Sequence, residues 1–158
     1  MADLQWEEVK DLFDTELNGV LPDVCVPGTS IEDWQAVFDL VLSKGWRYEY
    51  SVDGIPLRLP AAKLMMALRD EAGPHLKVWP HPDVLAIFHP YAEESVDFDV
   101  DLRELQGQER LDVLCGFLRA IVRRLGKPVV MTPEGDPEHP VLGFDVTTGR
   151  VVLMAELR

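Results

Sequence analysis

Positive charge is scarce in this chain. Fifteen lysines and arginines stand against 28 aspartates and glutamates, for a formal charge of −13. That deficit speaks against nucleic-acid binding, because phosphates need a basic footprint. It also speaks against anionic membrane surfaces. It favours solubility and leaves room for a basic partner.

Cysteine is nearly absent. Cys25 and Cys115 are far apart and form no CxxC pattern. No disulfide framework or cysteine-based zinc site follows from them. Both are expected as small buried hydrophobes in a reducing cytoplasm. No uninterrupted apolar run reaches the roughly 20 residues of a membrane-spanning helix. The start Met1-Ala2-Asp3-Leu4-Gln5-Trp6-Glu7-Glu8 lacks the basic and apolar regions of a signal peptide. Missing as well are the GxSxG elbow, the Walker loop, GxGxxG, HExxH and an aromatic, basic RNA-binding strand. No cofactor is implied.

What the chain does have is the material of a core. Its 158 residues are 47% apolar, enough to fold without staples. The length fits a single domain over 1–158.

Periodicity gives the elements. Trp6, Val9, Phe13 and Leu17 fall at helical spacing and predict a first helix closed by Asn18-Gly19. Pro22, Pro27 and Gly28 leave only a short extended piece around Val24-Cys25-Val26. Ser30 with Asp33 opens a second helix, whose stripe is Ile31, Trp34, Val37, Phe38, Val41 and Leu42; Lys44 and Gly45 end it.

The period then becomes two. Trp46, Tyr48, Tyr50 and Val52 alternate up to Asp53-Gly54, a hairpin signal. Ile55, Leu57 and Leu59 continue beyond it, with Pro56 placing that strand at an edge. A helix is expected over 61–72 from Leu64, Met65 and Leu68, and short strands over 76–79 and 84–88.

The longest stripe comes later: Leu111, Leu114, Cys115, Leu118, Ile121, Val122 and Leu125, stopped by Gly126 and Pro128. Arg119, Arg123 and Arg124 gather toward its C-terminal end, and Gly116 leaves room for a close neighbour. Val129-Val130-Met131 reads as a buried strand. Two more strands, over 141–146 and 151–155, flank Thr147-Thr148-Gly149-Arg150. The hairpins predict an α+β fold: a mixed, largely antiparallel sheet with about four helices packed on it, in one domain.

Candidate chemistry concentrates in Val96-Asp97-Phe98-Asp99-Val100-Asp101-Leu102. On a strand the apolar residues line one face and Asp97, Asp99 and Asp101 the other. Neighbouring carboxylates would stand about 6.6 Å apart, and all three would span about 13 Å, too far for one cation on a regular strand. A second acidic group is the loop with Glu134, Asp136 and Glu138. It does not match a calcium loop.

His81, Asp83 and His89 have the chemistry of a metal set but no tight ligand spacing. All four histidines neighbour prolines and are expected in exposed turns. His81 is the most interesting of them, beside Trp79 and Asp83.

The leading expectation is a non-enzymatic acidic interaction module, such as an immunity-type inhibitor or chaperone. It would dock a basic protein through Asp97, Asp99, Asp101, Glu134, Asp136, Glu138, Trp79 and His81. It would act as a monomer or a homodimer in the cytoplasm, without nucleic acid or membrane. The alternative is a small metal- or His/Asp-dependent hydrolase using His81, His89, Asp97 and Asp99. That reading requires a pocket where those groups meet.

Overall fold

Apolar alternation puts strands along most of the chain, and antiparallel pairing joins them into one layer. The computed structural model describes residues 4–136, 138–145 and 149–154. Within them the strands are β1 Asp23–Pro27, β2 Arg47–Val52, β3 Ile55–Leu57, β4 Pro74–His81 and β5 Val84–Ala92. They continue with β6 Ser95–Val100, β7 Val130–Thr132, β8 Leu142–Asp145 and β9 Arg150–Leu153. The sheet order is β3-β2-β4-β5-β6-β1-β7-β8-β9, and every neighbouring pair is antiparallel. The sheet is therefore wholly antiparallel rather than mixed.

Three helices supply the second layer: α3 Ile31–Lys44, α4 Ala62–Ala67 and α5 Gln108–Leu125, with short α1 Trp6–Val9 and α2 Thr15–Asn18 before them. Ser30 N–H donates to Asp33 Oδ2 at 3.1 Å, and Asp33 also pairs with Lys127, fixing the start of α3. Trp34 is fully buried, and its indole N–H reaches the carbonyls of Ala92 and Ser95, both at 3.1 Å. That ties α3 to the turn between β5 and β6. Phe117 of α5 meets Trp46, Phe88 and Phe98 at ring-centroid distances of 5.1, 6.3 and 5.5 Å. The helices thus cover one face of the sheet, and Val24, Leu76, Val78, Phe88, Val96, Phe98 and Val100 point into that core.

Several boundaries depart from the sequence reading. The expected first helix is broken into α1, a 3-10 turn Lys10–Phe13 and α2. Asp14 is extended and caps α2 by accepting from Glu16 N–H, so Leu17 leaves the stripe and is exposed. α4 covers only part of 61–72; it buries Met65 and Met66 and leaves Leu64 exposed. Strands β4 and β5 run longer than expected, joined by a turn at Pro82-Asp83. Pro80 and Pro90 lie where the register shifts, positions where a missing N–H does not interrupt a ladder. His75, His81 and His89 are therefore strand residues, not turn residues.

The Asp53-Gly54 turn is as expected, with φ of 50° and 80°. β3 is an edge strand of the sheet, as expected. The closing pair of such a hairpin is hydrogen-bonded, so the next position, Pro56, directs its donorless nitrogen to the free edge and blunts strand addition. The expected strand ends at Val146 and Ala155, the turn residues Thr147 and Thr148, and the acidic start Met1–Asp3 lie outside the described residues. No described helix is long and apolar enough to cross a membrane.

Gly116 sits inside α5, and a Cβ there would meet nothing within 4 Å, so no neighbour approaches it. Gly116→Ala is expected to stabilise the protein by about 1 kcal/mol, through helix propensity alone. Urea denaturation with an unchanged slope checks this.

Candidate functional site

The face of the sheet away from the helices carries the polar half of each alternation. Val96, Phe98 and Val100 are buried, so Asp97 and Asp99 necessarily point the other way, half-exposed. Register then decides their neighbours. Asp99 stands opposite Asp23 of β1 on one side and Ile87 of β5 on the other. Asp97 stands opposite Cys25 and His89.

The side chains close on one another. His89 Nε2 lies 2.8 Å from Asp99 Oδ2, with the two side chains 16% and 22% exposed. Tyr91 stacks on the His89 ring at 5.2 Å, and His75 of β4 meets it edge-on at 5.4 Å. Ser95 Oγ donates to Asp97 Oδ2 at 2.6 Å. The result is a patch of Asp23, Cys25, His75, His89, Tyr91, Asp97 and Asp99 across four adjacent strands.

Its electrostatics are strained on the acidic side. Partial burial, then the facing Asp99 carboxylate, push the Asp23 carboxyl above its ordinary value; Asp97 adds to this and His89 opposes it. Burial and the same three aspartates push the Tyr91 phenol up, so it stays a neutral donor. The Cys25 thiol rises to about 12 through burial and Asp97. It remains a thiol at neutral pH and is a poor nucleophile. Cys115 matches the buried hydrophobe of the sequence reading, whereas Cys25 is half-exposed on this patch.

The folded-state pKa of Asp23 lies above its unfolded value, so its ionised form opposes folding at neutral pH. That penalty fades as pH falls through the raised pKa and is absent below the ordinary aspartate range. Asp23→Asn is expected to raise the urea midpoint at about pH 7 and to give no advantage at about pH 3. Parallel melts at the two pH values measure it.

The other sequence candidates are placed differently. Asp101 accepts from Arg103 N–H at 2.9 Å and pairs with its guanidinium at 2.7 Å, which holds its carboxyl below the ordinary value. Glu134 turns back to accept from Val20 N–H at 3.0 Å. Asp136 pairs with His139 at 2.7 Å, and Glu138 is exposed. Trp79 lies under the Arg47 guanidinium at 4.3 Å. His81 Nδ1 accepts from Asp83 N–H at 3.1 Å, while Asp83 pairs with Arg110. The structure therefore brings His89, Asp97 and Asp99 together and leaves His81 at the far end of β4.

Asp23, His75 and Tyr91 escaped the sequence reading. Asp23 was signalled weakly by its alternation with Val24, but its partner strand depends on the fold. Among the described residues no group of three or more His, Cys, Asp or Glu is arranged to hold a metal ion.

Fold and site together define an α+β domain with a single antiparallel sheet, helices on one face and an acidic, histidine-bearing patch on the other. No family model matches the chain, and no curated protein or solved structure does so either.

Proposed function

We propose that the chain is a non-enzymatic interaction module that receives a basic partner protein on the open face of its sheet, as a small immunity-type inhibitor or a chaperone does. One observation supports this above the others. Asp23 and Asp99 face each other on adjacent strands of an accessible sheet face, with Asp97 beside them. Like charges directly opposite destabilise a sheet, and after partial burial the facing Asp99 is the next cause that holds the Asp23 carboxyl above its ordinary value. An arginine or lysine from a partner relieves it. Cys25, Leu85, Ile87 and Val130, all half-exposed, provide apolar contact around the charges, the mixture typical of a docking surface. The overall charge of −13 would speed the encounter with a basic protein. The free thiols suit a reducing compartment such as the cytoplasm.

The hydrolase alternative draws on the His89–Asp99 contact. Among the described residues, the surface cavities of about 390–540 Å³ are lined by other side chains, and none of these four includes His81, His89, Asp97 or Asp99.

The test uses a synthetic octa-arginine peptide and a variant carrying Asp23→Asn, Asp97→Asn and Asp99→Asn. The isosteric amides keep the shape of the patch. Calorimetric titration is expected to show binding by the native chain and a loss of at least about tenfold in the variant. Equal affinity for both forms rejects the assignment of the face.

A further inference from the structure

The open face of the sheet carries both signs of charge, sorted by strand. Two rows of register run across it. In the first, Glu49 of β2, Lys77 of β4, Ile87 of β5, Asp99 of β6 and Asp23 of β1 are successive partners. In the second, His89 of β5 pairs with Asp97 of β6 on one side. On the other it meets the His75 ring of β4 at 5.4 Å. β5 is the middle of these five strands. Lys77 and Asp99 therefore stand one strand either side of Ile87, and His75 and Asp97 one strand either side of His89. The cations Arg47 and Lys77 lie on β2 and β4, beside Glu49, and the aspartates on β6 and β1.

Such a face is its own complement. A two-fold axis laid along β5, parallel to the face, turns a second copy over so that its β4 lies above β6 and its β6 above β4. Lys77 of each copy then meets Asp99 of the other, as a symmetric interface requires. His75 of each meets Asp97 of the other. Leu85 and Ile87, both half-exposed on β5, lie along the axis and supply an apolar centre with the charges around it. Aligned sheets pack about 10 Å apart with their strands within about 30°. A lysine and an aspartate reaching from opposite sides close that gap.

We propose that the open face closes on a second copy of this chain, with Lys77–Asp99 pairs flanking Ile87 across the two-fold axis. The inference rests on the reading of that face as a docking surface, and it names a self-pairing that a basic partner must displace. The extent of the face agrees. β3 and β7 complete seven strands, three on each side of β5. At a spacing of about 4.8 Å they present roughly 600 Å² per copy. A standard interface uses about 800 Å² on each side, so the dimer is reversible rather than obligate. Two terms oppose it. The outer strands bring Glu49 against Asp23, a like pair. Each copy also carries a charge of −13, but that field is screened beyond about 8 Å at physiological salt.

Sedimentation equilibrium at physiological salt tests this. The native chain is expected to reach twice the monomer mass, with a dissociation constant at or below about 100 μM. Lys77→Asp alone sets carboxylates against each other, and Asp99→Lys alone sets ammonium groups against each other. Each is expected to weaken the dimer by at least about tenfold while keeping the native circular dichroism spectrum. Mixed in equal amounts, the two variants supply each other's missing charge at both contacts and are expected to associate within about threefold of the native affinity. A chain carrying both substitutions is expected to dimerise likewise. Three results each overturn the proposal: a monomer at every concentration up to about 1 mM, native association in both single variants, or no recovery either on mixing or in the double variant. Octa-arginine separates this inference from the reading beneath it. A chain that binds the peptide but stays monomeric removes the self-pairing alone, whereas a dimer that the peptide neither binds nor dissociates removes the basic-partner reading and leaves the self-pairing.

Discussion

Alanine in place of Phe117 is expected to lower the free energy of unfolding by roughly 3–5 kcal/mol, the cost of removing a buried aromatic side chain. Phe117 is 3% exposed and is the side chain through which α5 enters the aromatic cluster of Phe88, Phe98 and Trp46. Phe88 and Phe98 stack on adjacent strands at 4.7 Å, directly beneath the open patch, so the same cluster that anchors the helix sets the floor under Asp97 and Asp99. Their register is held from below. An exposed apolar residue makes the contrast: Ile55→Ala, at 63% exposure, is expected to change stability by no more than about 0.5 kcal/mol. Urea denaturation of the two variants separates them. A loss below about 1 kcal/mol at Phe117 would mean that α5 does not anchor the sheet as described.

The second large effect concerns binding. Neutralising Asp23, Asp97 and Asp99 together is expected to reduce affinity for octa-arginine by at least about tenfold, or 1.4 kcal/mol. Bulk charge alone would also attract such a peptide, so a matched control is informative. Glu7→Gln, Glu8→Gln and Glu16→Gln remove the same three charges from exposed positions near the N-terminus. That control is expected to lose no more than about threefold, since exposed charges outside the patch are screened by salt. The native chain should also lose affinity on raising salt, and the patch variant should lose less. The stability change runs the other way, because the Asp23→Asn component removes a charge that opposes folding at neutral pH. Binding falls while the urea midpoint rises. A general weakening of the structure would lower both.

The elements that the sequence showed plainly are those whose signals are local. Ser30 with Asp33, the stripe from Leu111 to Leu125 and the Asp53-Gly54 turn each depend on residues a few positions apart, and each is where the pattern placed it. The inward side of Val96, Phe98 and Val100 followed from the period of two. His75, His81 and His89 were misread because prolines beside them suggested turns, whereas His139 does lie in an exposed bend. In fact β4 and β5 absorb Pro80 and Pro90 at irregular positions, and the alternation runs on through His89 to Tyr91. The first helix failed for a related reason: Val9 and Phe13 are buried as their spacing asked, but Asp14 starts a separate helix with a cap of its own and Leu17 turns to solvent.

The site was legible by halves. Asp97 and Asp99 were visible as one face of one strand. The insertion of β1 between β6 and β7, which sets Asp23 against Asp99 and Cys25 against Asp97, joins segments more than 70 residues apart. No local pattern encodes that pairing. Asp101 on the strand face and Glu134 in the loop were both expected to meet a partner, yet Glu134 is occupied by Val20 N–H and Asp101 by Arg103. Which carboxylates are left facing solvent without a cation is a property of the assembled sheet.

The most direct test of the open face is chemical-shift mapping of octa-arginine on the isotopically labelled protein. The largest amide and side-chain shifts should fall on Asp23, Cys25, Ile87, His89, Tyr91, Asp97 and Asp99, and should vanish in the patch variant. Shifts spread evenly over the acidic surface, or centred on the 134–138 loop and unaffected by the patch substitutions, would contradict it.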